Sequence, residues 1–260
     1  FTALAYAELA SGFPETGGGY LWIREGLFAP LGFLGGWMSW VGHCIACSVY
    51  AIGFGKGVGL LIQQVGFLSS GVDIAIVETI LTVAIAVFFC YINYRGVKGA
   101  GRSEILISVF LVGIISLFCL FCLVYVLTDP AAPGASGFGP ELLPFGYLSI
   151  ATSMGFTFMI FEGYEVVAQT GEEVKDPEKT IPRAMFLCIT ISAILFILVA
   201  AVTFATIGWE EAALGREAAL TIAADRAVPL IGGALMSIGM IIGSVAAVNS
   251  IVFSASRVSF

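Results

Sequence analysis

Residues 156–168 read FTFMIFEGYEVVA and place two carboxylates, Glu162 and Glu165, beside Gly163 inside an otherwise apolar segment. Insertion scales make an acidic residue at the centre of a membrane-spanning helix unfavourable by about 2.5–3.5 kcal/mol. Glycine weakens a helix by up to about 1 kcal/mol relative to alanine. Together these features favour a broken helix whose freed backbone groups line a polar site. The alternative is that both carboxylates lie near the end of the helix and reach water.

The composition around this segment is that of a membrane protein. Of the 260 residues, 59% are hydrophobic and 11% are charged, and the mean hydropathy is +1.02. A soluble domain carries about 25% charged residues, and a disordered chain cannot keep so much apolar surface in water. Acidic residues outnumber basic residues by 18 to 11, so nucleic acid is not an expected partner. We therefore predict an all-α polytopic membrane protein embedded in a lipid bilayer.

Apolar runs near the length that spans a bilayer, about 20 residues, recur between connections rich in Pro, Gly and charge. They predict one transmembrane domain over residues 1–260. Its helices are predicted at 1–12, 31–54, 74–94, 105–127, 147–172, 184–207 and 229–256. Because the chain begins at Phe1 and ends at Phe260, both in apolar runs, we expect a fragment with helices missing at both ends. Lys and Arg are concentrated on the side that holds the Gly-rich loop after the first helix, which predicts that this side is cytoplasmic.

Histidine and cysteine side chains inside the apolar runs suggest a second, less favoured interpretation. His43, Cys44 and Cys47 lie in the second predicted helix, and Cys119 and Cys122 lie in the fourth. Thiolate and imidazole groups suit zinc or copper, so this set describes a membrane metal-binding or redox protein. Buried cysteine is also a common small apolar residue, and we predict packing here, with no metal and no cofactor. The only histidine has no carboxylate nearby in sequence, so we do not predict an enzyme.

Several strings in the sequence match one family of membrane proteins in order along the chain. Together they resemble the amino acid permeases of the amino acid–polyamine–organocation superfamily. The strings are YAELA at 6–10, GGGY at 17–20, FEGYE at 161–165, EEVKDP at 172–177, IPRA at 181–184 and FSASR at 253–257.

This resemblance implies a leucine-transporter-like fold of two inverted repeats, incomplete in this chain, in which the seven predicted helices are family helices two to eight. It implies a single transporter domain in the plasma membrane. The protein would move amino acids or related amines by alternating access, as an exchanger or coupled to protons or sodium. A transport-dead scaffold is the remaining alternative.

The resemblance also implies a substrate site at the middle of the membrane. The unwound segment would be Ile160, Phe161, Glu162 and Gly163, with its backbone facing the substrate. Phe158 or Phe161 would supply an aromatic lid. The helix face that holds Cys47 would line the cavity, although packing in the core is the alternative role for that residue.

Two groups of residues are candidates for coupling, the first from the residues themselves and the second by similarity to sodium-driven relatives. Glu162 or Glu165 would bind a proton, and Asn249, Ser250 and Ser254 would bind a cation or, alternatively, donate hydrogen bonds to a neighbouring helix. Some relatives bind a glycoprotein heavy chain through a cysteine after family helix three. The corresponding stretch here, 56–72, contains no cysteine, so we expect no disulfide-linked heavy chain.

Overall fold

The structure is a computed structural model that describes residues 2–13, 17–66, 73–95, 100–138, 146–161, 163–169 and 174–258. Within these ranges every regular element is a helix. Five of the helices are long and apolar enough to cross a membrane. They are Ala29–Val65, Ile74–Arg95, Ile105–Thr128, Pro177–Ile207 and Gly232–Ser256. The prediction of an all-α polytopic membrane protein is confirmed, whereas the inverted repeat stays a prediction.

The helices follow one another through short connections. In chain order they are α1 Thr2–Gly12, α2 Gly19–Gly26, α3 Ala29–Val65, α4 Ile74–Arg95, α5 Ala100–Thr128, α6 Tyr147–Ile160, α7 Tyr164–Gln169, α8 Pro177–Ile207, α9 Trp209–Gly215, α10 Ala219–Ala227 and α11 Gly232–Val258. In the described part of the chain, short 3-10 helices lie at Gly134–Phe138 and Arg216–Ala218.

Helices α3 and α8 extend furthest beyond the bounds that the sequence predicts. Helix α3 continues to Val65 instead of ending at residue 54. The connection after this helix, which the sequence prediction placed from Lys56 onward, therefore begins at Gly66. Helix α8 begins at Pro177 instead of residue 184 and contains Pro182. Pro182 is the sixth residue of the helix, so it has no N–H to donate to the carbonyl of Glu178 one turn earlier. The short helices α2, α9 and α10 are not predicted, because none has the length of a membrane span.

The chain divides into two compact units. The first unit comprises Phe1–Cys47, Phe145–Ile194 and Ser250–Phe260, and the second comprises Ser48–Pro144 and Leu195–Asn249. The buried apolar cluster of the first unit contains Ala7, Ala10, Trp22, Ile181 and Met185. That of the second unit contains Ile114, Phe118, Cys122, Val202, Ile207, Ala212, Ala223, Ala224 and Met236.

Glycines spaced one turn apart lie against neighbouring helices within each unit. In the first unit, Gly32 and Gly36 of α3 face α2. In the second unit, Gly239 of α11 packs against Ile114 of α5. Small residues allow such close approach of helices in a membrane, where apolar side chains gain little by leaving lipid.

A close seam of the second unit joins α3 to α4. A Cβ atom at Gly55 would lie 2.5 Å from the backbone oxygen of Glu78, and one at Gly59 would meet the Glu78 carboxylate. On the same side of α3, Lys56 Nζ forms an ion pair of 2.8 Å with Glu78 Oε2. The Glu78 side chain is only 14% exposed, so the pair supplies the partner that a carboxylate in this position needs. The two glycines therefore make room for a polar contact as well as for packing.

Candidate functional site: an interrupted helix

The predicted interruption of the fifth helix is present between α6 and α7. Helix α6 ends at Ile160, and α7 begins at Tyr164. The turn is closed by a hydrogen bond of 3.1 Å from the Phe161 backbone N–H to the Phe158 carbonyl. Gly163 has a φ of 116°, which side chains with a Cβ atom rarely adopt. The interruption frees carbonyl groups at the end of α6 from helical bonding.

Glu165 stabilises the start of α7. Its Oε2 accepts a hydrogen bond of 2.9 Å from the backbone N–H of Gly163, and its side chain is half-buried. A carboxylate at the first turn of a helix also interacts favourably with the positive end of the helix dipole. Glu165 therefore acts as a local cap in this conformation. Its predicted partner in coupling, Glu162, lies outside the described residues.

We expect substitutions of Glu165 to separate the role of its oxygen from the role of its charge. Glu165→Gln keeps an oxygen that accepts the Gly163 N–H bond, so uptake of substrate should change by less than about threefold. Glu165→Ala removes the acceptor and should cost about 0.5–2 kcal/mol, the range for loss of a helix cap. Uptake and thermal unfolding of the full-length protein measure both effects. Equal loss in the two variants would instead assign the effect to the carboxylate charge.

An aromatic cluster fixes α7 against α1. The Tyr6 ring meets the Tyr164 ring edge to face at a centroid distance of 5.5 Å and an angle of 90°. On another side, Tyr6 meets the Trp22 ring at 5.3 Å and 72°. The Trp22 side chain is 9% exposed, and its indole N–H donates to the Phe13 carbonyl at 3.4 Å. The segment after the interruption is thereby in ring contact with Tyr6 of α1, which the Trp22 ring of α2 contacts in turn.

Loss of the central ring should loosen this segment. Each edge-to-face pair contributes about 0.5–1.5 kcal/mol beyond its buried area, so Tyr6→Leu should lower the melting temperature of the purified full-length protein. The control is Trp37→Leu, which removes one ring of the more exposed Trp37–Trp40 pair at 5.5 Å. We expect the Tyr6 variant to lose more stability than the Trp37 variant. The reverse order would show that the cluster does not hold α7.

The remaining residues predicted at the substrate site lie around the end of α6 and on α3. Phe158 and Ile160 are 60% and 52% exposed, so neither side chain is packed in a core. Phe161 is half-buried in the turn, and Cys47 on α3 is half-buried. The interruption is flanked in sequence by Phe158, Ile160, Phe161 and Gly163. Their role, and that of Cys47, stays a prediction.

Two of the three polar residues predicted to bind a cation, Asn249 and Ser254, have hydrogen bonds to other helices. In the second unit, Asn249 Oδ1 accepts from Asn93 Nδ2 of α4 at 3.4 Å. In the first unit, Ser254 Oγ lies 2.9 Å from His43 Nε2 of α3. Ser250 is half-buried. These contacts correspond to the alternative of bonding between helices, and the binding of a cation stays a prediction.

Sequence reasoning did not find the pairing of His43 with Ser254 or of Asn93 with Asn249. The sequence did contain one signal for such pairs. A polar side chain in an apolar helix needs a hydrogen-bond partner, so a polar residue in one apolar helix predicts a polar residue in a neighbouring helix. One sequence does not say which helices are neighbours, and therefore does not choose the partners.

The metal-binding alternative receives no support from the described part of the chain. Among those residues, no group of three or more His, Cys, Asp or Glu side chains could hold a metal ion. Cys122 is buried in the core of the second unit, where its thiol lies 3.9 Å from the Ala223 carbonyl. Cys44 is exposed on α3. None of the six cysteines, all within the described ranges, forms a disulfide.

Apolar helices long enough to cross a membrane place this protein in the class of multi-pass integral membrane proteins. The chain belongs to the amino acid permease family, whose model matches residues 1–260. The resemblance seen in the sequence motifs is thereby confirmed.

Curated relatives include several transport proteins. The chain is 29% identical over 221 residues to the branched-chain amino acid permease BcaP of Lactococcus lactis, covering 80% of this chain and 45% of that protein. It is 26% identical over 267 residues to the methylthioribose transporter of Bacillus subtilis, covering 99% and 55%. It is 26% identical over 203 residues to the low-affinity putrescine importer PlaP of Escherichia coli, covering 76% and 41%. The chain spans about half the length of the curated relatives it matches.

Proposed function

We propose that the protein containing this chain is a secondary active transporter of amino acids that works by alternating access in the plasma membrane. Membership of the amino acid permease family supports transport rather than enzymatic catalysis. The names of the three relatives, a permease, a transporter and an importer, support the same class of activity. The three relatives are named for different transported compounds. We choose amino acids among these compounds because of the family to which the chain belongs and because of the residues at the proposed site.

The observation that carries the proposed site is the helix interruption at residues 161–163. Carbonyl groups at the end of α6 form the negative end of a helix dipole, which attracts an ammonium group. Discontinuous helices bind charged substrate groups in this way at the middle of the membrane. Phe158 and Ile160, exposed beside the interruption, offer apolar surface to a side chain of the substrate. Glu162 would hold the substrate ammonium or a proton.

We propose apolar, branched-chain amino acids as the first substrates to test. Two relatives, from Lactococcus lactis and Bacillus subtilis, are named branched-chain amino acid permeases. The described residues at the end of α6 are also apolar, as a branched aliphatic side chain requires. A polyamine such as putrescine has two ammonium groups and no apolar branch, and would gain little from this surface.

The test is uptake into proteoliposomes that contain the purified full-length protein. Radiolabelled leucine, isoleucine and valine are compared with putrescine and methylthioribose, and liposomes without protein give the background. We expect saturable uptake of the three amino acids, with each amino acid competing for the uptake of the others. Uptake of putrescine or methylthioribose alone, or of no compound in the panel, would contradict the proposal. Imposed proton and sodium gradients then distinguish coupled uptake from exchange.

A further inference from the structure

His43 is the only histidine of the chain, and it is buried within the first unit. Its side chain is 3% exposed, and that of its partner Ser254, near the end of α11, is 1% exposed. The Nδ1 atom lies 2.7 Å from the backbone oxygen of Ser39, one turn earlier on α3. The Nε2 atom lies 2.9 Å from Ser254 Oγ. Both ring nitrogens are therefore in hydrogen-bond contact, one with each helix.

The partners fix where the protons lie. The Ser39 carbonyl accepts hydrogen bonds and cannot donate, so Nδ1 carries a proton in either charge state. In the neutral ring Nε2 is then an acceptor, and the Ser254 hydroxyl donates to it. A further proton on Nε2 reverses this bond, because the ring donates and the hydroxyl oxygen accepts. Serine is suited to this exchange, since its hydroxyl donates and accepts and can turn towards a carbonyl one turn back on its own helix.

Among the described residues, no carboxylate forms an ion pair with His43 in this conformation. On α3 the nearest titratable side chains in sequence are Cys44 and Cys47, and neither is an anion in the thiol form. On α11 the stretch from Ser250 to Ser256 contains no titratable side chain, and the Arg257 side chain lies outside the described residues. An imidazolium without a counter-charge is unfavourable in an apolar interior. Adding a proton therefore favours an arrangement in which the ring reaches water.

We propose that His43 binds the proton that drives transport, and that its protonation first reverses the hydrogen bond to Ser254 and then opens the contact between α3 and α11, because the charged ring is more favourable in water. This inference rests on the proposed transport function and adds the site and direction of coupling. Histidine is the side chain that ordinarily changes charge between pH 5 and 8. The conformation with His43 closed against Ser254 is the neutral state, and proton binding opens it. Glu165 serves as a helix cap and is not the coupling group.

The first test observes the proton directly. Full-length protein with [15N]histidine is reconstituted in lipid bilayers, and its nitrogen NMR spectra are recorded at pH 7.5 and 5.5. His43→Gln identifies the signals of this residue by their loss. We expect a neutral ring with the proton on Nδ1 at pH 7.5 and an imidazolium at pH 5.5. A ring that stays neutral at pH 5.5 overturns the proposal, whatever the protein transports.

The second test compares leucine uptake at external pH 5.5 and 7.5. Coupling through protonation of His43 should make uptake faster at pH 5.5 than at pH 7.5, and we expect the ratio of the two rates to be about twofold or more. His43→Gln should bring the ratio of the two rates close to one, whereas the control Glu165→Gln should keep the parent ratio. The parent ratio in the His43 variant, or its loss in the Glu165 variant, would contradict the assignment. Absence of uptake for every compound in the panel would refute the proposed function instead, and the NMR result would still decide whether His43 binds a proton.

A milder variant covers the case in which His43→Gln does not fold. Ser254→Ala removes the partner of Nε2 and leaves the ring in place. We expect the NMR midpoint of His43 and the pH midpoint of uptake to move together in this variant. A shift of the first without the second would contradict coupling through His43.

Discussion

Gly163→Ala is expected to reduce leucine uptake by about tenfold or more while leaving the protein in the membrane. The φ of 116° at this position is strained for any residue with a Cβ atom, at a cost of about 1–3 kcal/mol. A cost of 1.4 kcal/mol corresponds to about a tenfold loss of the interrupted conformation. Apart from its two chain neighbours, no described residue has a heavy atom within 4 Å of the site that a Cβ would occupy. A loss of uptake in this variant would therefore result from backbone strain at the interruption and not from a steric clash.

Gly155→Ala is the matched control for this experiment. Gly155 lies within α6, two turns before the interruption, and a Cβ there would also meet nothing within 4 Å. Its backbone is helical, so alanine should be neutral or stabilising by up to about 1 kcal/mol. Uptake is normalised to the amount of each protein in the membrane. Normal uptake by Gly163→Ala would show that transport does not need the interrupted backbone.

Gly55→Ala is expected to damage folding rather than transport chemistry. The new methyl group would meet the Thr82 hydroxyl and the Glu78 backbone oxygen of α4, so the two helices must separate. Forcing an extra methyl group into a packed contact costs about 1–3 kcal/mol. We expect a lower melting temperature and less protein in the membrane, with a normal affinity for leucine in the fraction that folds.

Gly42→Ala on the same helix is its control. A Cβ at Gly42 would meet nothing within 4 Å, so this variant gains helix propensity without a clash. The comparison is thermal unfolding of the two purified full-length variants beside the parent protein. Equal melting temperatures for the two variants would show that α3 and α4 are not in close contact at Gly55.

The interruption was predictable because its signals are local. Carboxylates and a glycine within a few residues of one another oppose a continuous apolar helix, and the sequence alone displays them at 162–165. The spans at 74–94 and 105–127 were also close to the observed helices, since length and hydropathy define them.

The features that were missed depend on contacts between distant parts of the chain. The glycines at 53–59 look like a helix end in sequence, yet α3 continues through them because α4 packs closely there. His43 and Ser254 are 211 residues apart, and Tyr6 and Tyr164 belong to different helices. Only the fold brings these side chains together. The hydropathy of a segment shows that its helix is apolar, but it does not show which other helix that helix contacts.

The measurement that tests the central claim most directly is a structure of the full-length protein with leucine bound. We predict density for the amino acid against the backbone at 160–163, with its ammonium group near the carbonyl end of α6. Its side chain should lie beside Phe158 or Phe161. Density for leucine at a place that residues 158–163 do not reach would contradict the proposed site.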